Sequence, residues 1–365
     1  MNFTCDRIVL NDALSILQNV VGSNTTLPIL SNIFIESSDK KELKLTSTNL
    51  EVGVQFNIDT DVNETGTCTL PGKKFFEITR EIVGDKVEVE ISSDYIGVIK
   101  SGNAVYRLMG MSAEEFPRLP RLDKVHSIKL TENMFKEVLK KTAYAISTDE
   151  ARYVLNGVYL IISKGELIVV ATDGRRLSKV KKSTDIDPNL EVGVIVPAKT
   201  VHELIRILNG EKEIEILFSE THVGFKREQM LMISRLIEGK FPNYSQVIPK
   251  KSKEKVEIDR EEFISLIKRV SLIATGKSNL VKFRFNDGSL TLTASNPEVG
   301  EAKDDISIDY KGEDFSIAFN PEYVIDALKT LDDEKITFGF SEPTLPGVIS
   351  CGEDFVYVIM PMKLR

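Results

Sequence analysis

Histidine and cysteine are scarce in this chain of 365 residues, with three of each. His126, His202 and His222 form no HxxH or HExxH spacing, which argues against metal ligation and against a histidine-based triad. Cys5, Cys68 and Cys351 form no CxxC pair and read as reduced thiols of a cytosolic protein. Neither GxSxG nor GxGxxG occurs. A GKS stands at 276–278, but the glycine that a phosphate-binding loop needs five residues earlier is Ser271. Acidic runs such as Asp304-Asp305 and Asp332-Asp333-Glu334 read as solvated loops rather than metal sites. The expectation is no metal, no cofactor and no catalytic constellation. The first residues, MNFTCDRIVL, lack the basic start and apolar stretch of a signal peptide. No apolar run approaches the ~20 residues that span a bilayer. A cytoplasmic location with no membrane partner is expected. A net charge of −8 disfavours nucleic-acid binding over the whole surface but leaves room for a local basic patch.

What the chain does have is repetition. FP occurs in EEFPRLP (114–120) and again in GKFPNYSQVIP (239–249). Asn49, Asp173 and Asn296, in TSTNLEVGV, VATDGRRLSKV and TASNPEVGEA, recur at a period of about 124 residues. LPILSNIFI, RYVLNGVYL and NLVKFRF, starting at Leu27, Arg152 and Asn279, keep the same beat. So do three proline-led segments beginning at Pro71, Pro197 and Pro321. This period is far longer than that of solenoid repeats and is long enough for each copy to hold its own core. Three domains follow: 1–122, 123–250 and 251–365.

Each copy opens with an amphipathic helix. Its start signals are Asn11, Thr131 and Asp259, and Asp259 with Glu262 has the spacing of a capping box. Leu14, Leu17 and Val21 keep helical periodicity, as do Phe263, Leu266, Ile267 and Val270. Alternating strands follow, then the proline-led helix, then more strands. Two helices and many short strands per copy give an α+β class with antiparallel sheets. The six predicted helices together carry about +1 while the whole chain carries −8. Lys73, Lys74, Arg80, Lys136, Lys140, Lys141, Lys199 and Arg206 supply the positive charge. Ordinary solvated helix faces would look like this, and so would a helical surface turned toward a polyanion.

In sequence order, TLPILSN (26–32), KFFEI (74–78), RYVLNG (152–157), ATDGRRL (171–177), GKFPNY (239–244) and VIMPMKL (358–364) resemble the β subunit of bacterial DNA polymerase III, the replication sliding clamp. The resemblance covers the whole chain. It implies the DNA clamp fold, three repeated domains, and a ring-shaped head-to-tail dimer with helices lining the hole. Size agrees with this. A domain of this length has a radius of gyration of about 14 Å, and six such domains in a ring leave a hole of roughly 17 Å radius, whereas three leave about 3 Å. A duplex about 10 Å in radius passes only the larger.

The resemblance also implies residue roles. Tyr106 and Leu108 match one side of the dimer interface. Leu272 and Ile273 match the other, with Lys74 facing Glu298, Glu301 and Asp304. Leu155, Thr172, Gly174, Arg175, Leu177, Pro242 and Val247 match a peptide-binding pocket, which Ile359, Met360, Pro361 and Met362 complete. Asn24, Lys73, Asp149 and Tyr153 match DNA contacts, with Arg80, Arg152, Lys199 and Arg206 alongside them. Asn24 and Asp149 stand where an arginine and an amide are frequent. Arg175 and Gln246 stand where a histidine and an arginine are frequent, and Arg365 follows the usual terminal leucine. The implied function is that of a processivity factor, not an enzyme. Its partners would be duplex DNA, the α-type subunit of the replicative polymerase, an ATP-dependent clamp loader and other proteins carrying a clamp-binding motif. An enzyme with an interdomain cleft and a peptide-binding scaffold without a ring are the alternatives.

Overall fold

A computed structural model describes residues 1–22, 27–122, 126–274 and 279–363. Asn24, the GKS triplet and Arg365 lie outside the described residues. The chain packs as two compact units. One comprises Met1–Glu132 and Gly210–Leu236, the other Asn133–Asn209 and Ile237–Arg365.

Six α-helices occur among the described residues: α1 (Arg7–Val20), α2 (Gly72–Glu81), α3 (Glu132–Ala143), α4 (Ala198–Ile207), α5 (Arg260–Ser271) and α6 (Pro321–Leu328). The start of α1 corrects the sequence reading. Asp6, not Asn11, caps it and accepts from the backbone N–H groups of Ile8 and Val9. The strand Asn2–Asp6 runs straight into this cap, so the helix begins a turn early and Asn11 lies inside it. α3 starts directly after Thr131. Asp259 caps α5 through the Glu262 N–H, as the spacing implied. Pro71 and Pro197 sit immediately before their helices and Pro321 is the first residue of its own.

In the first unit a five-stranded sheet runs in the order Asp61–Glu64, Asn2–Asp6, Lys86–Ile91, Ile96–Ser101, Ala104–Met109. An eight-stranded sheet runs His126–Thr131, Glu213–Phe218, His222–Arg227, Met230–Arg235, Val52–Asp59, Glu42–Thr48, Asn32–Ser37, Gly66–Pro71. In the second unit an eight-stranded sheet runs Val192–Pro197, Gly157–Ser163, Glu166–Thr172, Arg176–Ser183, Phe355–Ile359, Gly347–Cys351, Lys335–Phe340, Glu254–Asp259. A four-stranded sheet runs Gly300–Ser307, Ser289–Asn296, Val281–Asn286, Phe315–Phe319. Pairing is antiparallel, as the alternating pattern implied.

Both large sheets are made by one kind of join. In the first unit Met230–Arg235 pairs with Val52–Asp59, setting Ile233 opposite Gly53 and Ser234 opposite Val52. In the second, Phe355–Ile359 pairs with Arg176–Ser183, setting Val358 opposite Leu177 and Ile359 opposite Arg176. Asn49 and Asp173 are equivalent in the repeat, so Gly53 and Leu177 are equivalent too, and the two joins share one register. The last strand of each later copy is thus added to the same strand of the copy before it. Two strands of this kind are left over. Gly300–Ser307, the third copy's receiving strand, is an edge of its sheet, and so is Ala104–Met109, the first copy's last strand.

The cores are what the periodicity requires. α1 buries Leu10, Ala13, Leu14, Leu17 and Val20, and α5 buries Phe263, Ile264, Leu266, Ile267 and Val270. Phe263, Phe283, Phe285, Phe319, Phe338 and Phe340 form a fully buried aromatic group in the second unit. Burying each such side chain contributes roughly 1.5–3 kcal/mol.

Candidate functional site

In the second unit the strands Glu166–Thr172 and Arg176–Ser183 meet in a tight turn at the centre of the motif ATDGRRL. Asp173 shapes it. Its Oδ1 accepts from the backbone N–H groups of Arg175 (2.8 Å) and Arg176 (3.0 Å). Thr172 Oγ1 accepts from Gly174 N–H and donates to the Arg176 carbonyl at 2.7 Å. Gly174 has φ +84, a conformation that glycine adopts without steric cost, and a Cβ there would lie 2.8 Å from an Arg152 terminal nitrogen.

The segment GKFPNY crosses beside this turn. Phe241 is buried and stacks on Tyr159 with ring centroids 4.9 Å apart, and Tyr244 meets the same Tyr159 edge-on at 6.4 Å. This anchoring leaves Pro242 and Val247 at the surface, with Val247 49% exposed. The chain's last strand closes the third side, and Met360 N–H donates to the Arg175 carbonyl at 2.9 Å.

The result is a mostly apolar cavity of about 160 Å³. Its walls include Leu155, Thr172, Gly174, Arg175, Leu177, Pro242, Val247 and Met360, eight of the residues expected from the sequence. Ile359, Pro361 and Met362 are not among its lining residues. Ile359 is fully buried, and Met362 N–H is bonded to the Ala318 carbonyl at 2.8 Å. Arg176, Tyr244 and Val358 also line the cavity but were not singled out, although each lies in a motif read as characteristic.

Arg176 is the charged member of the wall. Its side chain is only 11% exposed, with Nε bonded to Asp173 (3.1 Å), one terminal nitrogen to Asp326 (2.8 Å) and the other to the Tyr144 carbonyl (2.6 Å). The guanidinium lies over the Tyr323 ring, 4.3 Å from its centroid. Burial works against its charge, but the Asp326 bond and nearby negative groups outweigh this and hold its pKa above the ordinary arginine value. Burial also pushes up the hydroxyls of Tyr144 and Tyr357.

A second cavity of about 390 Å³ shares Arg175 and Arg176 with the first and continues over Ser147, Asp149, Arg152, Asp173 and Tyr323. Asp149 accepts from the Ala151 N–H and pairs with Arg152 at 2.9 Å, and these two contacts hold its carboxyl below the usual range. Arg152 also donates to the Asp173 carbonyl. Tyr153 stands 58% exposed.

The remaining expected cations lie on helix faces. Lys73, Lys74 and Arg80 are exposed on α2, and Lys199 and Arg206 on α4. Several already hold carboxylates: Lys74 with Glu77, Arg80 with Glu81, Lys141 with Glu137 and Arg206 with Glu203. Lys136 donates to the Leu208 carbonyl. Lys141 is largely buried, but exposed pairs such as those of Lys74 and Arg80 are worth about 0–1 kcal/mol, so a phosphate can displace the carboxylate there at little cost.

At the edge strand Ala104–Met109, Val105 is 59% exposed, Tyr106 39% and Met109 70%, while Leu108 is half-buried. Leu272 is 74% exposed and Ile273 half-buried. Glu298 and Glu301 are exposed, and Asp304 is paired with Arg269 at 2.5 Å.

Antiparallel sheets in three repeated domains, two helices to a domain, define a clamp fold, and comparison with known proteins gives the family. The N-terminal, central and C-terminal domains of the DNA polymerase III beta subunit match residues 1–120, 129–243 and 245–363. The beta sliding clamp of Chlamydia muridarum is 37% identical over the full length of both chains. The crystal structure of the Bacillus subtilis DNA polymerase sliding clamp superimposes with a TM-score of 0.95 at 31% identity, covering both chains fully. A Pseudomonas aeruginosa sliding clamp bound to griselimycin matches equally well (TM-score 0.95, 28% identity, full coverage).

The chain belongs to the DNA polymerase III beta-subunit family. It is a processivity clamp of the replicative polymerase, an accessory subunit and not an enzyme. None of its described helices is long and apolar enough to cross a membrane.

Proposed function

We propose that two copies of this chain close head to tail around duplex DNA in the cytoplasm, with domains at 1–122, 123–250 and 251–365. The observation that carries this reading is the repeated join. The chain makes the same antiparallel pairing twice within itself and has one receiving strand and one last strand left at sheet edges. Carrying the internal register across two chains sets Leu108 opposite Val299, Tyr106 opposite Glu301 and Ala104 opposite Lys303. Exposed apolar groups at Val105, Tyr106 and Val299 would be covered, and Arg107 would lie beside Glu301. Leu272, Ile273 and the pairing of Lys74 with Glu298, Glu301 and Asp304 would flank the strands. Two such contacts, related by a two-fold axis, close a ring of six domains.

In this ring Lys73, Arg80, Lys199 and Arg206, with Arg152, Tyr153 and the loops of Asn24 and Asp149, face the duplex. The apolar pocket takes short peptide segments of the polymerase α-type subunit and of other clamp-binding proteins, and the ligand-bound relative supports this use of the surface. The tether raises the local concentration of the polymerase at the primer end. An ATP-dependent loader opens the ring.

The test is cross-linking followed by a topological assay. Tyr106→Cys with Glu301→Cys should oxidise to a covalently closed dimer that is retained on nicked circular DNA and slides off once the circle is linearised. Leu108→Cys with Glu301→Cys, two residues out of register, should not cross-link. Cross-linking only in the shifted pair would overturn the register, and equal retention on linear DNA would overturn the ring.

A further inference from the structure

The peptide pocket is shaped by a turn whose charged residue, Arg176, is fixed from outside the cavity. Asp326 lies on α6 and is absent from the pocket's lining, yet its carboxylate takes one end of the Arg176 guanidinium at 2.8 Å. Tyr323, one turn earlier on α6, supplies the ring beneath that guanidinium. The Tyr144 carbonyl, just past the end of α3, takes the other end. Ser178, two residues along the pocket strand, accepts from the Tyr144 hydroxyl at 3.1 Å and donates to the Lys141 carbonyl at 2.5 Å. The Arg176 carbonyl in turn accepts from Thr172, and Asp173 ties both the Arg176 backbone and its side chain. One guanidinium therefore links α6 and the end of α3 to the turn that forms one wall of the pocket.

We propose that Asp326 is a positioning residue for peptide capture: through Arg176 it holds the turn 172–176 in the shape that receives a ligand, without touching the ligand itself. This rests on the reading of the cavity as the peptide site. With Asp326 gone, Arg176 keeps Asp173, the Tyr144 carbonyl and the Tyr323 ring but loses its charged anchor on α6, and the turn spends part of its time in shapes that close or blunt the cavity. Apparent affinity then falls in proportion to the fraction of molecules still in the receptive shape. The loss therefore appears in association, while the complex, once formed, keeps its contacts and its dissociation rate.

The probe is griselimycin, binding to the full-length protein measured by surface plasmon resonance. Asp326→Asn should slow association about tenfold and leave dissociation within about twofold, if roughly a tenth of the molecules remain receptive. Asp326→Glu, which keeps a carboxylate within reach, should recover most of the association rate. The melting temperature and the dimer measured by analytical ultracentrifugation should match those of the parent protein. Val247→Asp, on the pocket wall, serves as the control for the underlying reading. If Val247→Asp leaves binding intact, the cavity is not the ligand site and the inference falls with that reading. If Val247→Asp abolishes binding while Asp326→Asn changes neither rate, the site stands and the positioning role is overturned. Faster dissociation with unchanged association would make Asp326 a direct contact and would also overturn the proposal.

Discussion

The segments EEFPRLP and GKFPNYSQVIP occupy equivalent corners of the two units, and the two corners differ in what they leave open. In both, the phenylalanine is buried on an aromatic partner in a stacked arrangement: Phe116 on Phe34 at 5.3 Å and Phe241 on Tyr159 at 4.9 Å. Three residues further on, the corners diverge. In the first unit Leu119 lies over Gly53, so closely that a Cβ on Gly53 would meet Leu119 Cδ2 at 2.1 Å. Leu122 covers Gly224 in the same way, at 2.4 Å. In the second unit the place of Gly53 belongs to Leu177 and the place of Leu119 to Tyr244, which turns onto Tyr159 instead. In the first corner Leu119 fills the space over Gly53, and in the second the equivalent place belongs to an apolar cavity. The first corner has open space of another kind: a more polar cleft of about 520 Å³, walled by Phe116, Pro117, Arg118 and Leu119 of this same segment together with Glu36, Lys44 and Gln55. Two glycines, each lying under a leucine, thus mark where the first corner departs from the apolar cavity of the second.

That contrast can be broken from either side. The largest effect is expected at the shared anchor: Phe241→Ala should lower stability by about 3–5 kcal/mol in urea titrations and abolish griselimycin binding, whereas Phe116→Ala should cost about as much and spare binding. Gly53→Leu, which copies the second corner into the first, forces Leu119 aside and should destabilise by about 2–3 kcal/mol. Adding Leu119→Ala to it should restore more than half of that loss, since the two side chains compete for one volume. Val247→Asp should weaken griselimycin by at least tenfold, about 1.4 kcal/mol by calorimetry, without moving the dimer equilibrium. The smallest effect is Leu119→Ala alone. Leu119 is half-buried, so about 1 kcal/mol is expected, with ligand stoichiometry still one per chain.

Much of this was legible in the sequence because repetition carries its own register. Asn49, Asp173 and Asn296 located equivalent strands, and the family resemblance supplied seven cavity residues in the second copy and Met360 in the third. The joins were not legible. Whether Val358 pairs with Leu177 or with nothing depends on a strand nearly two hundred residues away, and alternation of apolar residues looks the same in paired and edge strands. Arg176 was missed for a related reason. Beside Arg175 it reads as one of two surface cations, and only the fold brings Asp326 and Tyr323 to it. Asp6 was missed as a cap because it ends a strand and starts a helix with no loop between.

Under the ring reading, the two leftover edge strands make the chain a bifunctional monomer in the polymer chemist's sense, with two complementary end groups. Such a monomer can add partners indefinitely or cyclise. Once the first contact between two chains has formed, the remaining ends are held on one particle, and their effective concentration far exceeds that of any third chain if the curvature brings them together. Under the ring reading, cyclisation after two units consumes every end group, and the product stops growing. A substitution that flattened either internal join would not simply weaken such a ring. It would turn a closing monomer into a chain-extending one, and the protein would fail by forming filaments.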